Sequence, residues 1–323
     1  MADRVDYDEF GLFHENAEEY GLPFDRPPIV RRASVELSDG RRLSALVWKD
    51  THPEVVLLHG GAQNAHTWDT VALALDRPLV AIDLPGHGHS DGPGRRRDGH
   101  LDIRGNAADV AAAIRQLAPE ARAVVGMSLG GLTTIALSQV APEIVRKVVL
   151  VDVLPGIKGE RAKHITDFVN GPQSFANLDE LLDLTTQFNP TRSLSSLRRG
   201  ILHNAEQQPD GTWVWRWARH RPDPVPSTPA GPGASDGPPT TGGGDPVFPV
   251  YDALWDAVSS ITVPLLLARG MRPDSVLGDE DEEELRRRLP SARVVHFAEA
   301  GHSLQGDMPL ELAALIEEFV FES

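Results

Sequence analysis

The 323-residue chain contains no cysteine. Disulfides, thiolate metal sites and cysteine nucleophiles are therefore excluded, and covalent chemistry falls to oxygen or imidazole. Long apolar runs are also absent: no stretch approaches the roughly 18 residues of a membrane-spanning helix. The first thirty residues, dotted with Asp and Glu, hold no apolar segment of the kind that marks a secretory leader. Basic residues are outnumbered, 31 Lys and Arg against 47 Asp and Glu, for a formal net charge of −16. A field of that sign disfavours nucleic acid and anionic membrane surfaces as partners. The expectation is a soluble cytoplasmic protein acting on a small-molecule substrate, with homo-oligomerisation left open.

What is present is ordinary globular material, 41% hydrophobic and 24% charged, which argues against wholesale disorder or a fibrous repeat. Eight short runs read as strands: Ser34–Leu37, Arg42–Trp48, Val55–His59, Leu79–Asp83, Ala123–Gly126, Lys147–Asp152, Val263–Arg269 and Arg293–Phe297. They alternate with helical patterns such as Asp109–Leu117 and Leu310–Phe319, which predicts an α/β protein with a largely parallel sheet. The first two runs flank an Asp-Gly turn and read as a hairpin.

The alternation breaks after Asp152 and resumes only at Val263, a gap far longer than a crossover helix needs. Within it, Leu178–Leu184 looks helical and Gly211–Trp217 alternates like a strand. Residues Arg221–Pro249 then hold nine Pro and six Gly in 29 positions, so neither helix nor ladder persists there. The expected division is an N-terminal arm over 1–33, a core over 34–153, an inserted cap over 154–220, a flexible loop over 221–249 and the rest of the core over 250–323. The acid-then-base run Asp279–Arg288 suits a helix macrodipole and is expected to present a solvated face.

Gly126-Met127-Ser128-Leu129-Gly130-Gly131 follows a strand and precedes a helical stretch, which sets Ser128 on a sharp strand-to-helix turn. His59-Gly60-Gly61 follows the third strand, where a backbone N–H of Gly61 can face the serine and, with that of Leu129, form an oxyanion hole. Asp83-Leu84-Pro85-Gly86-His87-Gly88-His89-Ser90-Asp91 follows the fourth strand, and Ala300-Gly301-His302-Ser303 follows the last. Together HGG, DLPGHGHSD, GMSLGG and AGHS, in this order, resemble the α/β-hydrolase fold superfamily. The resemblance implies an eight-stranded, mostly parallel sheet flanked by helices, its second strand antiparallel, and a cap inserted after the sixth strand. It implies Ser128 as nucleophile and His302 as its base.

A carboxylate must orient His302, and two candidates stand between serine and histidine. In many members of the superfamily the acid follows the seventh strand as P-x5-G-x-x-D; here Pro264 and Gly270 lead to Pro273, with Asp274 one position late. A subset carries it at the end of the sixth strand, where this chain has Asp152. Asp152 is favoured, because a one-residue slip at a strand end redirects the side chain.

His87 and His89 have metal-like spacing, but the family loop accounts for both, and neither a metal nor a cofactor is expected. Trp213, Trp215 and Trp217, together with Phe175 and Phe188, are candidates either for a pocket wall or for cap packing; Trp68 is expected to pack the first core helix. A serine nucleophile argues against haloalkane dehalogenases and epoxide hydrolases, which use Asp at this turn. The expected reaction is hydrolysis of a carboxylic ester or lactone of a small, apolar molecule. The competing readings are a ligand receptor of the same fold and a carbon–carbon bond hydrolase.

Overall fold

The computed structural model describes residues 4–92, 102–217 and 254–322. The Pro/Gly-rich run 221–249 lies outside the described residues.

Eight strands form one sheet: β1 (Val30–Glu36), β2 (Arg42–Trp48), β3 (Val55–Leu58), β4 (Leu79–Ile82), β5 (Ala123–Met127) and β6 (Val148–Val151), followed after the insertion by β10 (Leu265–Gly270) and β11 (Arg293–Phe297). Their order is β1-β2-β4-β3-β5-β6-β10-β11. Only β2 runs against the rest; the other adjacent pairs, from β4 across to β11, are parallel. The sequence-predicted strands coincide with these except at their ends, and β1 begins at Val30, inside what reads from sequence as the arm.

The central strands are short because each is a four- or five-residue apolar run. Val55–Leu58 and Leu79–Ile82 are fully buried, as parallel strands covered by helices on both faces must be. One face packs against helices Ile103–Leu117 and Leu129–Val140, the other against Asp69–Leu75 and Pro309–Glu317. Trp68 is completely buried at the start of the helix Asp69–Leu75. Truncating one such side chain, for example Leu57→Ala, would cost about 2–5 kcal/mol.

Between β6 and β10 lies a separate small layer with its own apolar cluster. It holds helices Lys163–Asn170, Leu178–Phe188 and Leu194–Asn204, and an antiparallel sheet of β7 (Ser174–Phe175), β8 (Ala205–Gln207) and β9 (Trp213–Trp215) in the order β7-β9-β8. Two of the three helices of this layer start on a side-chain cap, Asn177 and Ser193, which accept from the N–H groups of Glu180 and Ser196 in the first turn.

The helix Asp279–Arg288 has the predicted span, but its face is not wholly solvated. Glu282 is buried and accepts from Arg269 Nη1 at 2.7 Å and from Arg286. The acidic first turn thus anchors the helix to β10 as well as complementing its dipole.

Candidate active site

The sheet changes direction at β3: the chain continues to β4 on one side and later to β5 on the other. Ligands of open α/β sheets bind outside the carboxyl ends of strands at such a point. His59-Gly60-Gly61 leaves the end of β3 and Ser128 the end of β5, and both border one cavity of about 250 Å³ together with His302.

Ser128 sits at φ 50°, ψ −117°, a conformation that costs a non-glycine residue on the order of 1–3 kcal/mol. The surrounding glycines permit it. A Cβ at Gly130 would overlap the carbonyl oxygen of Leu58, and one at Gly126 would overlap that of Gly130, so helix and strands approach closely enough to force the turn. Gly131 and Leu132 both donate their N–H to the carbonyl of Ser128 at 2.9 and 3.0 Å, starting the helix on the serine itself. Leu129 is the first residue of that helix, where N–H groups have no intrahelical acceptor. On the facing loop the N–H of Gly60 is taken by Gln63 Oε1 at 3.0 Å, and Gly61 borders the cavity.

Asp152 follows β6 in a left-handed conformation, φ 46°, which Asp tolerates better than most residues. It is completely buried. Its Oδ1 accepts from the N–H of Gly270 at 3.0 Å and the hydroxyl of Ser275 at 2.7 Å; its Oδ2 accepts from the N–H of Val276 at 3.2 Å. Oδ2 also meets Nδ1 of His302 at 2.9 Å. Because the carboxylate is acceptor-only, Nδ1 of His302 carries the hydrogen and Nε2 presents a lone pair. Asp274 lies beside Gly301, at the surface. Its side chain is 42% exposed and accepts from Arg272 Nη2 at 3.0 Å.

The aspartate of the fourth-strand motif is structural. Asp83, fully buried, accepts from the N–H groups of Ala65 and His89 and from Arg32 Nη1, at 2.8, 3.0 and 2.8 Å. Burial opposes its charge, but Arg32, His59 and these amides outweigh that and hold its carboxyl below the usual range. His59 accepts the N–H of Leu84 on Nε2 at 2.9 Å, and its Nδ1 donates to the carbonyl of Gly60 at 2.7 Å. A neutral imidazole is thereby specified, and burial lowers its pKa. His87 Nδ1 lies 3.0 Å from the carbonyl of Pro85.

The inserted layer supplies the rest of the cavity. Its Ile165, Phe168, Phe188, Leu197 and Trp215 give an apolar wall and its Arg192 and Arg199 a polar one, which Asn16 and Tyr20 of the N-terminal helix Phe13–Tyr20 complete. Of the residues singled out in the sequence, Trp215 and Phe188 border the cavity. Phe175 packs edge-on against Trp215 at 5.8 Å and Trp217 stacks on it at 6.1 Å, while buried Trp213 belongs to the same apolar cluster. The alternating tryptophans therefore serve mainly as packing, with Trp215 doing both.

Sequence reasoning missed a second polar cluster on the same cavity. His66 and Asp69 precede and open the helix Asp69–Leu75, and His203 ends the inserted helix Leu194–Asn204; all three are buried. His66 Nδ1 is 2.8 Å from Asp69 Oδ2 and its Nε2 3.1 Å from Glu9 Oε1. Both ring nitrogens thus face carboxylates, and although burial works against the charge, Asp69 and Glu9 push the His66 pKa up to about 9. His203 stacks on His66 with centroids 3.8 Å apart; burial, and then the positive charge of His66, depress its pKa. The His66-x-x-Asp69 spacing was the one local signal, and His203 joins that pair only through the fold.

A model of the alpha/beta hydrolase family matches residues 55–315. The chain belongs to that family. The hydrolase is 39% identical over 316 residues to the esterase Rv0045c of Mycobacterium tuberculosis, covering 96% of this chain and 94% of that one. A solved structure of the same esterase, from a study of its inhibition by transition metals, aligns with a TM-score of 0.77 and 36% identity over 99% of this chain and 100% of that one. A pimeloyl-[acyl-carrier protein] methyl ester esterase of Nitrosomonas europaea is 30% identical and covers 78% of this chain and 89% of its own. The chain is also 27% identical to a putative 2-succinyl-6-hydroxy-2,4-cyclohexadiene-1-carboxylate synthase of Bacillus subtilis, with 89% of this chain and 97% of that one covered. Among the described residues, no helix is long and apolar enough to cross a membrane.

Proposed function

We propose that this hydrolase cleaves carboxylic esters of small molecules, lactones included, through an acyl-enzyme on Ser128. The observation that carries the reading is the bond between buried Asp152 and His302 beside a strained serine on one cavity. Relatives named as esterases support the ester bond as the target.

In this reading Nε2 of His302 takes the Ser128 Oγ proton as the oxygen attacks the ester carbonyl, and Asp152 stabilises the imidazolium so formed. The carbonyl oxygen becomes an oxyanion and accepts from the N–H groups of Gly61 and Leu129, each donor contributing about 3 kcal/mol to the transition state. The intermediate collapses, His302 returns the proton to the departing alcohol, and water repeats the sequence to release the acid. The apolar wall around Phe168, Phe188 and Trp215 takes one side of the ester. The layer between β6 and β10 acts as the cap, and no cofactor enters the reaction.

Steady-state hydrolysis of p-nitrophenyl butyrate by wild type and Ser128→Ala tests this. Turnover should fall by roughly 10⁴-fold or more in the variant, and a fluorophosphonate should label wild type at Ser128. Undiminished turnover in Ser128→Ala would overturn the reading, as would tight retention of ester without turnover in wild type, which marks a receptor.

A further inference from the structure

We propose that His66, Asp69 and His203 form a binding site for one divalent first-row transition-metal ion, of the Zn²⁺ class, that pins the inserted layer to the core. One donor atom from each residue lies within 4.8 Å of the other two. Oδ2 of Asp69 is 2.8 Å from Nδ1 of His66 and 3.8 Å from Nε2 of His203. An ion bonded at about 2.0–2.2 Å to nitrogen and oxygen fits within such a triangle once the stacked rings tilt toward it, and both rings border the open cavity.

A second observation points to a ligand. His203 is 95% buried, yet its Nε2 has no hydrogen-bond partner, and neither does Oδ1 of Asp69. As an N–H donor, Nε2 lies too far from Asp69 to bond it; as a lone pair, it faces a carboxylate. A cation between them satisfies both atoms.

The outer contacts already suit coordination. The second nitrogen of His66 faces Glu9 at 3.1 Å, and that of His203 faces the Tyr7 hydroxyl at 2.7 Å. A metal-bound imidazole needs such an acceptor for its remaining N–H, which fixes its tautomer and orientation. On binding, the ion replaces the Nδ1 hydrogen of His66, which leaves to solvent. Two imidazoles and one carboxylate select Zn²⁺, Co²⁺, Ni²⁺ or Cu²⁺ over Mg²⁺ or Ca²⁺, which require oxygen ligands throughout. His66 and Asp69 belong to the core and His203 to the inserted layer, so the ion bridges the two across the cavity that holds Ser128.

Co²⁺ titration of the full-length protein, followed by its d–d absorption and by thermal unfolding, tests the proposal. Wild type should take up one equivalent and unfold at a higher temperature with metal, because the ion binds only the folded state. Ser128→Ala and His302→Ala should bind equally well; His203→Gln and His66→Gln should lose at least tenfold in affinity. In Zn²⁺-soaked wild-type crystals, which need no variant to fold, anomalous density should lie among the three side chains. No uptake by wild type, undiminished binding by His203→Gln, or density at His302 instead would overturn the proposal.

Discussion

Asp83 shows how a single residue in a catalytic-looking motif can be wholly structural. It is buried, it neighbours two histidines in sequence, and it precedes the same cavity, yet its oxygens are occupied by Arg32 and two backbone amides. Asp83→Asn would leave Arg32 with Glu9 as its remaining carboxylate partner, and the lost hydrogen bond to a buried charge costs about 1.5–3 kcal/mol. Thermal unfolding should show that loss, while kcat of the surviving folded enzyme stays within about threefold of wild type by the same reasoning. A selective collapse of kcat with unchanged stability would assign Asp83 a chemical role instead. Asp152 is the converse case. Its position at a strand end was legible in the sequence, since Val148–Val151 is a continuous apolar run and the next residue is a carboxylate. Its partners Gly270, Ser275 and Val276 were not, because they lie more than 100 residues away.

At the scale of elements, the alternating apolar runs located every strand of the main sheet, because parallel strands buried on both faces leave a contiguous signal in the chain. Helix Asp279–Arg288 was found for a different reason, its charge order, and that signal hid its buried contact. Glu282 accepts from Arg269, Arg286 and His296. Burial raises its pKa, but His296 and the two arginines outweigh this and lower it from 4.5 to about 2. A depressed folded value means that the carboxylate stabilises the fold above the unfolded pKa and ceases to do so as pH falls from about 4.5 towards 2. Glu282→Gln should therefore unfold at a lower temperature than wild type near neutrality, and the gap should close as the pH drops through that window. A gap independent of pH would show that the contact works by shape alone. Apart from the helical pattern at Leu178–Leu184, which falls in the helix Leu178–Phe188, the inserted layer was legible mainly as an interruption. Its short strands β7, β8 and β9 span two or three residues each, too few for a period to emerge, and only the Trp213–Trp217 alternation marked one of them.

For the whole molecule, the cavity lies between two layers that carry different duties. The sheet and its loops hold Ser128, His302 and Asp152, the proposed reacting groups, whereas the inserted layer lines the same cavity with Phe168, Phe188 and Trp215. Substrate choice should therefore move with the second layer and leave the first intact. Trp215→Ala removes a large part of the apolar wall, so the ratio of kcat/KM for octanoate over acetate esters should fall about tenfold or more, the scale of one to two buried methylenes. An unchanged ratio would place the acyl group elsewhere. The proposed chemistry depends most directly on Asp152, and not Asp274, orienting His302. Its measurement is the turnover of a short acyl ester by Asp152→Asn beside Asp274→Asn, with both variants shown to be folded. A loss of about 10⁴-fold in the first, as for other wrong-tautomer variants, together with near wild-type turnover in the second, is the predicted result; the reverse pattern would contradict the account.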